Sequence, residues 1–350
     1  MRKTGWALLI AAALAVAAPQ QRDMGNVLND RGTEALERGD FAEAERLLDQ
    51  TLQPWRPLGS KYDAHLATAL YNKAEAQSGL RKWREAAANL EESVPLMGRS
   101  LGLRHWRTIH CRNALANVYQ MLGERDKSEA LYKETLAVER ELDPNDGETA
   151  RTLVGLAMLS ARAGKLDEAL PLAEEALRIG LRAHGEKDPE TAMLYSTVAQ
   201  IHTLAGRTER ALPLIRKARA IYESAPGVAS WQIGLTLSQE GLALLYDGKR
   251  ALAERDFQEA LRRLSECAPC GLELAAAESQ FALLRLQQHK FNEADALLAK
   301  AISIEEGISE RPLPEMATTL EILSKLRVQE KRIDDAEQLH ARAQTILAYR

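Results

Sequence analysis

The sequence is poor in aromatic residues. Phe, Trp and Tyr together make up 5% of its 350 residues. A chain of this length has enough residues for a large core, so its interior must be filled mainly by aliphatic and small side chains. This composition is typical of packed helices, in which small and unbranched side chains make the contacts.

The sequence also lacks an excess of positive charge. It contains 46 basic and 50 acidic residues, which gives a formal net charge of -4. Proteins that bind nucleic acid or anionic membranes usually carry a basic surface that neutralises the phosphates. We therefore expect neither partner.

No apolar run reaches the usual length of a membrane-spanning helix. Arg2 and Lys3 precede an uncharged run over residues 6–18, about half the length of a spanning helix once its ends are discounted. Ala15 and Ala17 supply the small residues of a cleavage site. Residues 1–18 therefore predict a signal peptide and an exported protein, either periplasmic or secreted. The alternative is an uncleaved N-terminal anchor.

The local signatures of common enzymes are missing. The sequence has no G-x-S-x-G, G-x-x-x-x-G-K-[ST], G-x-G-x-x-G or H-E-x-x-H motif, so hydrolase, nucleotide, dinucleotide and zinc-protease sites lack their usual residues. His105, His110 and Cys111 lie close in sequence, but their spacing matches no established metal site. We predict no catalytic residues, no metal site and no cofactor.

What the sequence does contain is a turn that recurs at a fixed interval. The turn column holds Gly39, Arg81, Gly123, Gly164, Gly206, Gly248, His289 and Lys331. Successive members are 41 or 42 residues apart over eight copies. Such a register predicts a repeat array, with a helix before each turn and a helix after it.

Three further columns contain only small residues. Seven residues before the turn stand Gly32, Ala74, Ala116, Ala157, Ala199, Gly241, Ala282 and Ser324. Five residues after it stand Ala44, Ala86, Ser128, Ala169, Ala211, Ala253, Ala294 and Ala336. Twelve residues after it stand Thr51, Ser93, Thr135, Ala176, Ala218, Ala260, Ala301 and Ala343. Small residues at these places predict helices that cross closely within each repeat and pack closely on the next.

This pattern, as in Gly164-Lys-Leu-Asp-Glu-Ala169, resembles the tetratricopeptide repeat. The period near 42 resembles the kinesin-light-chain-type variant. The resemblance covers about residues 24–350 and implies an all-α, right-handed superhelical solenoid of about eight helix-turn-helix repeats, with a concave groove lined by the first helices. The repeats are predicted at about 25–53, 63–101, 106–142, 147–183, 189–224, 231–266, 272–307 and 314–350.

Prolines and a cap residue predict where several helices begin and end. Pro54 predicts that the second helix of the first repeat stops at Gln53, and Pro95 predicts an end or a kink near Val94. Pro171 and Pro213 lie about four residues into their helices, where proline is tolerated. Asp188, before a proline, is predicted to cap the following helix.

The resemblance also places candidate ligand-binding residues on the groove. In this family, first-helix residues near the small column face inward, and we expect the matching side chains to be exposed. They are Asn29, Asn72, Asn113, Asn117, Gln120, Arg151 and Gln200. A series of Asn side chains can hold the backbone of an extended peptide, and Arg151 can meet a carboxylate. The alternative is a solvated face with no dedicated ligand. Later repeats are more apolar there, with Leu242, Leu245, Tyr246, Leu283 and Leu286.

Cys267 and Cys270 form a CxxC pair between the sixth and seventh repeats. A disulfide and two free thiols are both compatible with an exported protein. A redox role is disfavoured because no strand precedes the pair, as thioredoxin-like chemistry requires. The third cysteine, Cys111, fits a buried small apolar residue.

The C-terminal repeat is followed by no further polar helix in the sequence, so Leu339, Ile346 and Leu347 are expected to be partly uncovered. The favoured interpretation is an ordinary amphipathic helix with a frayed end, and the alternative is self-association through this end. Taken together, these features predict a non-enzymatic scaffold that binds a protein or peptide of unknown identity. The alternative is a structural assembly subunit that associates through the ends of the array.

Overall fold

The computed structural model describes residues 24–56, 59–143, 146–267, 270–308 and 312–348, so the predicted signal peptide lies outside the described residues. These residues form sixteen α-helices in consecutive pairs and one short 3₁₀ turn, Ser60–Tyr62. The helices are α1 (24–37), α2 (Phe41–Trp55), α3 (Asp63–Gly79), α4 (Trp83–Leu101), α5 (Trp106–Leu122), α6 (Arg125–Leu142), α7 (Gly147–Arg162), α8 (Leu166–Ala183), α9 (Pro189–Leu204), α10 (Thr208–Ser224), α11 (Ser230–Tyr246), α12 (Arg250–Ser265), α13 (Gly271–Gln287), α14 (Phe291–Ile308), α15 (Pro314–Gln329) and α16 (Ile333–Ala348). No strand occurs within the described ranges. The predicted all-α architecture of helix pairs is confirmed.

The chain divides into two compact units. The first unit spans Met1–Leu142 and contains α1–α6, and the second spans Asp143–Arg350 and contains α7–α16. Within each unit, consecutive helices pack on each other. The odd-numbered helices are the first helices of their repeats and the even-numbered helices are the second.

The turn column adopts one backbone conformation in every repeat. Gly39, Gly123, Gly164, Gly206 and Gly248 have φ angles between 70° and 78°. Arg81, His289 and Lys331 occupy the same column at φ 58°, 58° and 66°. This left-handed conformation closes each first helix, and it strains residues that carry a Cβ atom. The column is therefore a backbone requirement of the fold.

Replacing His289 with Gly should raise the free energy of unfolding by about 1 kcal/mol, because glycine removes the left-handed strain at this turn. Thermal and urea unfolding followed by circular dichroism would measure it. Gly164→Ala is the matched control, since it introduces the same strain at φ 76° and should destabilise by a similar amount. An unchanged or lowered stability in His289→Gly would contradict the argument.

The three columns of small residues lie at the helix contacts, as predicted. Their alanines are buried throughout. Ser324, seven residues before its turn, and Ser128, five residues after its turn, show how close the helices come. The Ser128 hydroxyl donates to the Ala116 carbonyl oxygen at 2.8 Å, and the Ser324 hydroxyl donates to that of Ala336 at 2.8 Å. In both cases a side chain of one column bonds the backbone of the other, so a larger residue has no room.

Helix α2 ends later than predicted, and α4 does not end at Pro95. Helix α2 continues to Trp55, beyond Gln53, and α4 continues through Pro95 to Leu101. In α4, Leu96 and Met97 are buried on the C-terminal side of the proline, and this packing compensates for the one backbone hydrogen bond that proline removes. The other predictions hold: Pro171 and Pro213 lie inside α8 and α10, and Asp188 caps α9 by accepting a hydrogen bond from the Glu190 N–H at 2.8 Å.

The last helix is better covered than the sequence predicts. Ile346 is only 9% exposed and belongs to a cluster with Met316 and Leu320, and Leu339 is partly buried against the same cluster. Leu347 remains 37% exposed. The expectation of an uncovered apolar end is therefore wrong for Ile346, because α15 and α16 bury it between them.

Candidate ligand-binding face

First helices form the inner side of the second unit. Helices α7, α9, α11, α13 and α15 contact one another in succession, and they approach more closely than neighbouring second helices do. Closer packing on one side of a row of helix pairs makes that side concave. We call the side formed by these five helices the inner face.

Amide side chains join successive first helices in the first unit. The Asn72 Nδ2 donates to Asn29 Oδ1 at 3.2 Å and lies 3.3 Å from Thr33 Oγ1. Two predicted site residues are thus brought together, 43 positions apart in sequence. An amide has more hydrogen-bonding groups than one such bond uses, so the pair is held in place and keeps donor and acceptor capacity.

The second unit repeats this arrangement. The Ser238 hydroxyl donates to Gln280 Oε1 at 2.9 Å, across 42 positions. Sequence analysis missed this pair, although its spacing of about one repeat is the same as that of Asn29 and Asn72. Polar side chains here serve first to connect neighbouring repeats.

The third repeat departs from the prediction at Asn113. This residue is only 7% exposed, whereas Asn117 on the same helix is exposed. One turn before Asn113 on α5, the His110 ring lies 5.5 Å from the Tyr71 ring of α3. Asn113 is therefore better placed for packing than for contact with a ligand.

Asn117 and Gln120 remain on the surface of α5. The Tyr132 hydroxyl donates to Asn117 Oδ1 at 2.6 Å, and burial raises the pKa of Tyr132, which keeps it a donor. Gln120 is half-buried. The Asn117 carbonyl is thus oriented by a buried phenol, and its NH₂ group keeps two donors.

Arg151 and Gln200 lie in the second unit. The guanidinium of Arg151 is 2.9 Å from a carboxylate oxygen of Glu148 and 3.5 Å from one of Glu190. The predicted carboxylate-binding residue therefore already binds carboxylates of its own chain. Gln200 is half-buried on α9.

The apolar residues predicted for the later repeats are mostly in the core. Leu245 and Leu286 are 2% and 4% exposed, and Leu242 and Leu283 are partly buried against the same cores. Only Tyr246 is largely exposed, at 51%. Most of these first-helix leucines therefore pack against adjacent repeats and do not form an open apolar surface.

Leu204 is an apolar inner-face residue that sequence analysis missed. It is 51% exposed and stands two residues before its turn glycine, as Tyr246 does in the next repeat. The shared column was the signal that would have found it. Consecutive repeats thus present two large, accessible apolar side chains at the same place on the inner face.

One ion pair connects the first and last of these five helices. The Arg162 Nη1 lies 3.3 Å from Glu315 Oε1, and their side chains are 39% and 26% exposed. Arg162 ends α7 and Glu315 is in the first turn of α15, 153 residues further on. The inner face of the second unit is therefore bridged by one partly exposed ion pair.

The cysteines take no part in this face. Cys267 and Cys270 form a disulfide just before α13, and Cys111 is fully buried, which raises the pKa of its thiol to about 11. No cluster of potential metal ligands occurs in the part of the chain that the structure describes. Nor does any described helix combine the length and apolar character needed to cross a membrane.

Comparison with solved structures shows the same fold in other proteins. BtubC (BKLC) from P. vanneervenii is 21% identical, with 66% of this chain and 92% of that one covered and a TM-score of 0.54. A Rap protein complexed with competence and sporulation factor is 13% identical, with 94% and 99% covered and a TM-score of 0.64. The Rap conjugation gene regulator of plasmid pLS20, in complex with the Phr* peptide, is 13% identical, with 79% and 72% covered and a TM-score of 0.61.

Sequence comparison agrees with the repeat geometry. A curated relative, the secreted RxLR effector protein RXLR-C07 of Plasmopara halstedii, is 23% identical over 167 residues, which are 46% of this chain and 50% of that protein. The chain thus matches about half the length of this relative. The tetratricopeptide repeat family matches residues 65–141, 107–179 and 148–224. The chain therefore contains tetratricopeptide repeats, and the same turn geometry continues through all eight of its helix pairs.

Proposed function

We propose that the chain is a non-enzymatic scaffold that binds an extended peptide or protein segment on the inner face of its second unit. The observation that carries this proposal is the placement of Leu204 and Tyr246, each 51% exposed, at equivalent positions of consecutive repeats. Large apolar side chains spaced by one repeat suit a ligand that runs across the repeats.

Polar groups next to these side chains supply hydrogen bonds to such a ligand. Gln200 is half-buried one turn before Leu204 on α9. In the first unit, Asn29, Asn72 and Asn117 are oriented by hydrogen bonds to their neighbours, but they belong to the other unit and are not part of the proposed site. Asn113 is not included because it is buried.

The Arg162–Glu315 pair regulates access to the inner face in this proposal. A partly exposed ion pair contributes about 0–1 kcal/mol, so it opens readily. A ligand carboxylate that replaces Glu315 at Arg162, or a ligand cation that replaces Arg162, would compensate for the opening. The solved relatives in complex with the Phr* peptide and with competence and sporulation factor have the same fold.

We also propose that the protein acts after export. The support is the basic start and short apolar run of residues 1–18. A precursor that loses about 2 kDa on export, consistent with removal of some 18 residues, would support cleavage. An exported protein that keeps these residues would favour the anchored alternative.

Site-specific photo-crosslinking tests the binding face. A photoreactive amino acid at Tyr246 should crosslink to a partner when the protein is expressed in its own host. The matched control is the same amino acid at Leu252, which is 41% exposed on second helix α12. Truncating Leu204 to Ala should reduce the Tyr246 crosslink at least fivefold, because the apolar contact is shared.

Equal crosslinking from both positions, or none from Tyr246, would reject the inner face as the binding site. Circular dichroism of each variant establishes that the helices remain intact. The contacts are with exposed side chains, so we expect stability changes within about 0.5 kcal/mol.

A further inference from the structure

The Cys267–Cys270 disulfide lies at the connection between α12 and α13 in the second unit. Helix α12 ends at Ser265, and Cys270 directly precedes Gly271, the first residue of α13. The bond closes a loop with a sequence separation of only 3. The stabilisation that a disulfide gives through chain entropy grows with the length of its loop. A loop this short gains little from a cross-link, so stability alone does not account for the bond.

The two cysteines differ in exposure. Cys270 is 5% exposed and belongs to a buried cluster with Leu264 and Ala277. Cys267 packs against the same cluster but is only half-buried, and Glu266 before it is exposed. Thiol–disulfide exchange begins when a thiolate attacks an accessible sulfur atom. An external thiolate therefore reaches Cys267, and Cys270 is the residue that leaves.

Cys270 is well placed as the leaving group. It occupies the N-cap position of α13, and among the described residues no side chain caps this end of the helix. The backbone N–H groups of the first turn and the positive end of the helix dipole stabilise a thiolate at this position. At the start of α9 the Glu190 N–H binds the Asp188 carboxylate in the same way. Glu273, in the first turn of α13, opposes the effect. A stabilised thiolate leaves faster in exchange.

The backbone keeps the two cysteines together without the bond between their sulfur atoms. The Cys270 N–H donates to the Cys267 carbonyl oxygen at 3.1 Å, and the Leu274 N–H donates to the Cys270 carbonyl oxygen at 2.9 Å. After reduction the two thiols therefore remain close to each other. Reoxidation is then an intramolecular step, which proceeds at a high effective concentration.

We propose that the Cys267–Cys270 disulfide is a reversible redox site that a dithiol reduces by attack on Cys267. A thiolate of the dithiol bonds to Cys267 Sγ, and the disulfide breaks with its electron pair on Cys270 Sγ. The second thiolate of the dithiol then displaces Cys267. The dithiol becomes a disulfide, and its two protons pass through solvent to the two cysteine sulfurs.

The bond changes state without turning over a substrate, so it needs no thioredoxin-like strand before it. Neither cysteine is part of the proposed ligand-binding face. The inference therefore does not rest on the proposed function of the inner face.

Reduction by dithiothreitol in the folded protein tests whether the bond is accessible. Loss of the disulfide, measured by alkylation and mass spectrometry, should proceed in buffer within about tenfold of its rate in urea that unfolds the chain. A lower rate in buffer would mean that reduction requires unfolding, and it would overturn the proposal. Glutathione disulfide, added after dithiothreitol is removed, should restore the bond. A stable glutathione adduct in its place would overturn the reversibility.

Single-cysteine variants identify the attacked sulfur atom. In a Cys111→Ala background, Cys270→Ser leaves Cys267 as the free thiol and Cys267→Ser leaves Cys270, so the two variants are matched. In the folded protein Cys267 should react with an aromatic disulfide at least tenfold faster than Cys270, and in urea the two rates should agree within about twofold. Circular dichroism establishes that both variants are folded. A smaller ratio in the folded proteins would overturn the assignment of Cys267 as the attacked residue.

Discussion

Glu305→Gln is expected to stabilise the C-terminal repeats by about 2 kcal/mol at pH 8 and to destabilise them by about 1 kcal/mol at pH 4. Glu305 is 1% exposed on α14. Its Oε1 accepts a hydrogen bond from the Thr319 hydroxyl at 2.9 Å. Its Oε2 is buried and has no hydrogen-bond partner among the described residues. The ionised form is therefore poorly accommodated.

The direction of the pH effect follows from the pKa of Glu305. Burial raises this pKa from 4.5 to about 7, and the negative charges of Glu315 and Glu306 add to the increase, while the bond from Thr319 opposes it. Between pH 4.5 and about pH 7 the carboxyl group of Glu305 keeps its proton in the folded protein but has lost it in the unfolded chain. The free energy of unfolding therefore falls as pH rises from about 4.5 to about 7.

The size of the effect follows from the same shift. The rise of the Glu305 pKa corresponds to about 3 kcal/mol of stability lost on ionisation, which the variant regains. The buried amide donors that Gln introduces cost about 1 kcal/mol. Hydrogen exchange of α13–α15, measured by mass spectrometry at pH-corrected labelling times, would localise the stabilisation. Global unfolding alone is less informative, because repeat arrays open locally.

Glu306→Gln is the matched control, because it removes the same charge from the adjacent residue. Glu306 is 53% exposed and pairs with Arg342 at 3.0 Å, so its replacement should change stability by less than about 0.5 kcal/mol. A stabilisation by Glu305→Gln that is equal at pH 4 and pH 8 would contradict the assignment of the effect to ionisation.

The helix pairs were predictable because they depend on backbone geometry that recurs in every repeat. A turn residue at positive φ and a small residue at each helix crossing leave few alternatives, so columns such as those of Gly164 and Ala169 carry the signal. Pro95 shows the limit. The local preferences of proline predict that α4 ends or kinks at Pro95, but the buried Leu96 and Met97 keep the helix continuous through Leu101.

The candidate site was less predictable because its geometry depends on neighbouring repeats. The column identified Asn113 as an inward-facing residue, but the rings of Tyr71 and His110 beside it are not part of that pattern. The Arg162–Glu315 pair joins residues 153 positions apart. Its formation depends on the accumulated rotation of four successive helix pairs, to which small differences in each crossing angle contribute.

Phe257→Ala is expected to destabilise the second unit by about 4 kcal/mol, the second large effect that the structure predicts. Phe257 is fully buried on α12. Its ring stacks on Phe281 of the next repeat at 5.6 Å and lies against Gly241 of its own repeat. Truncation leaves a cavity at the contact of two repeats, and urea unfolding followed by circular dichroism would measure the loss.

Gly241 and Phe257 should be strongly coupled, because a Cβ atom on Gly241 would lie 2.9 Å from the Phe257 ring. Gly241→Ala alone should cost about 1–3 kcal/mol by overpacking. In the Phe257→Ala background the same methyl group enters the cavity, so its effect should become neutral or stabilising. Gly307→Ala is the control: no atom lies within 4 Å of its added Cβ, so it should stabilise α14 by about 0.5–1 kcal/mol in both backgrounds. If the effects of Gly241→Ala and Phe257→Ala were additive, the Phe257 ring would not be the reason that position 241 requires a small residue.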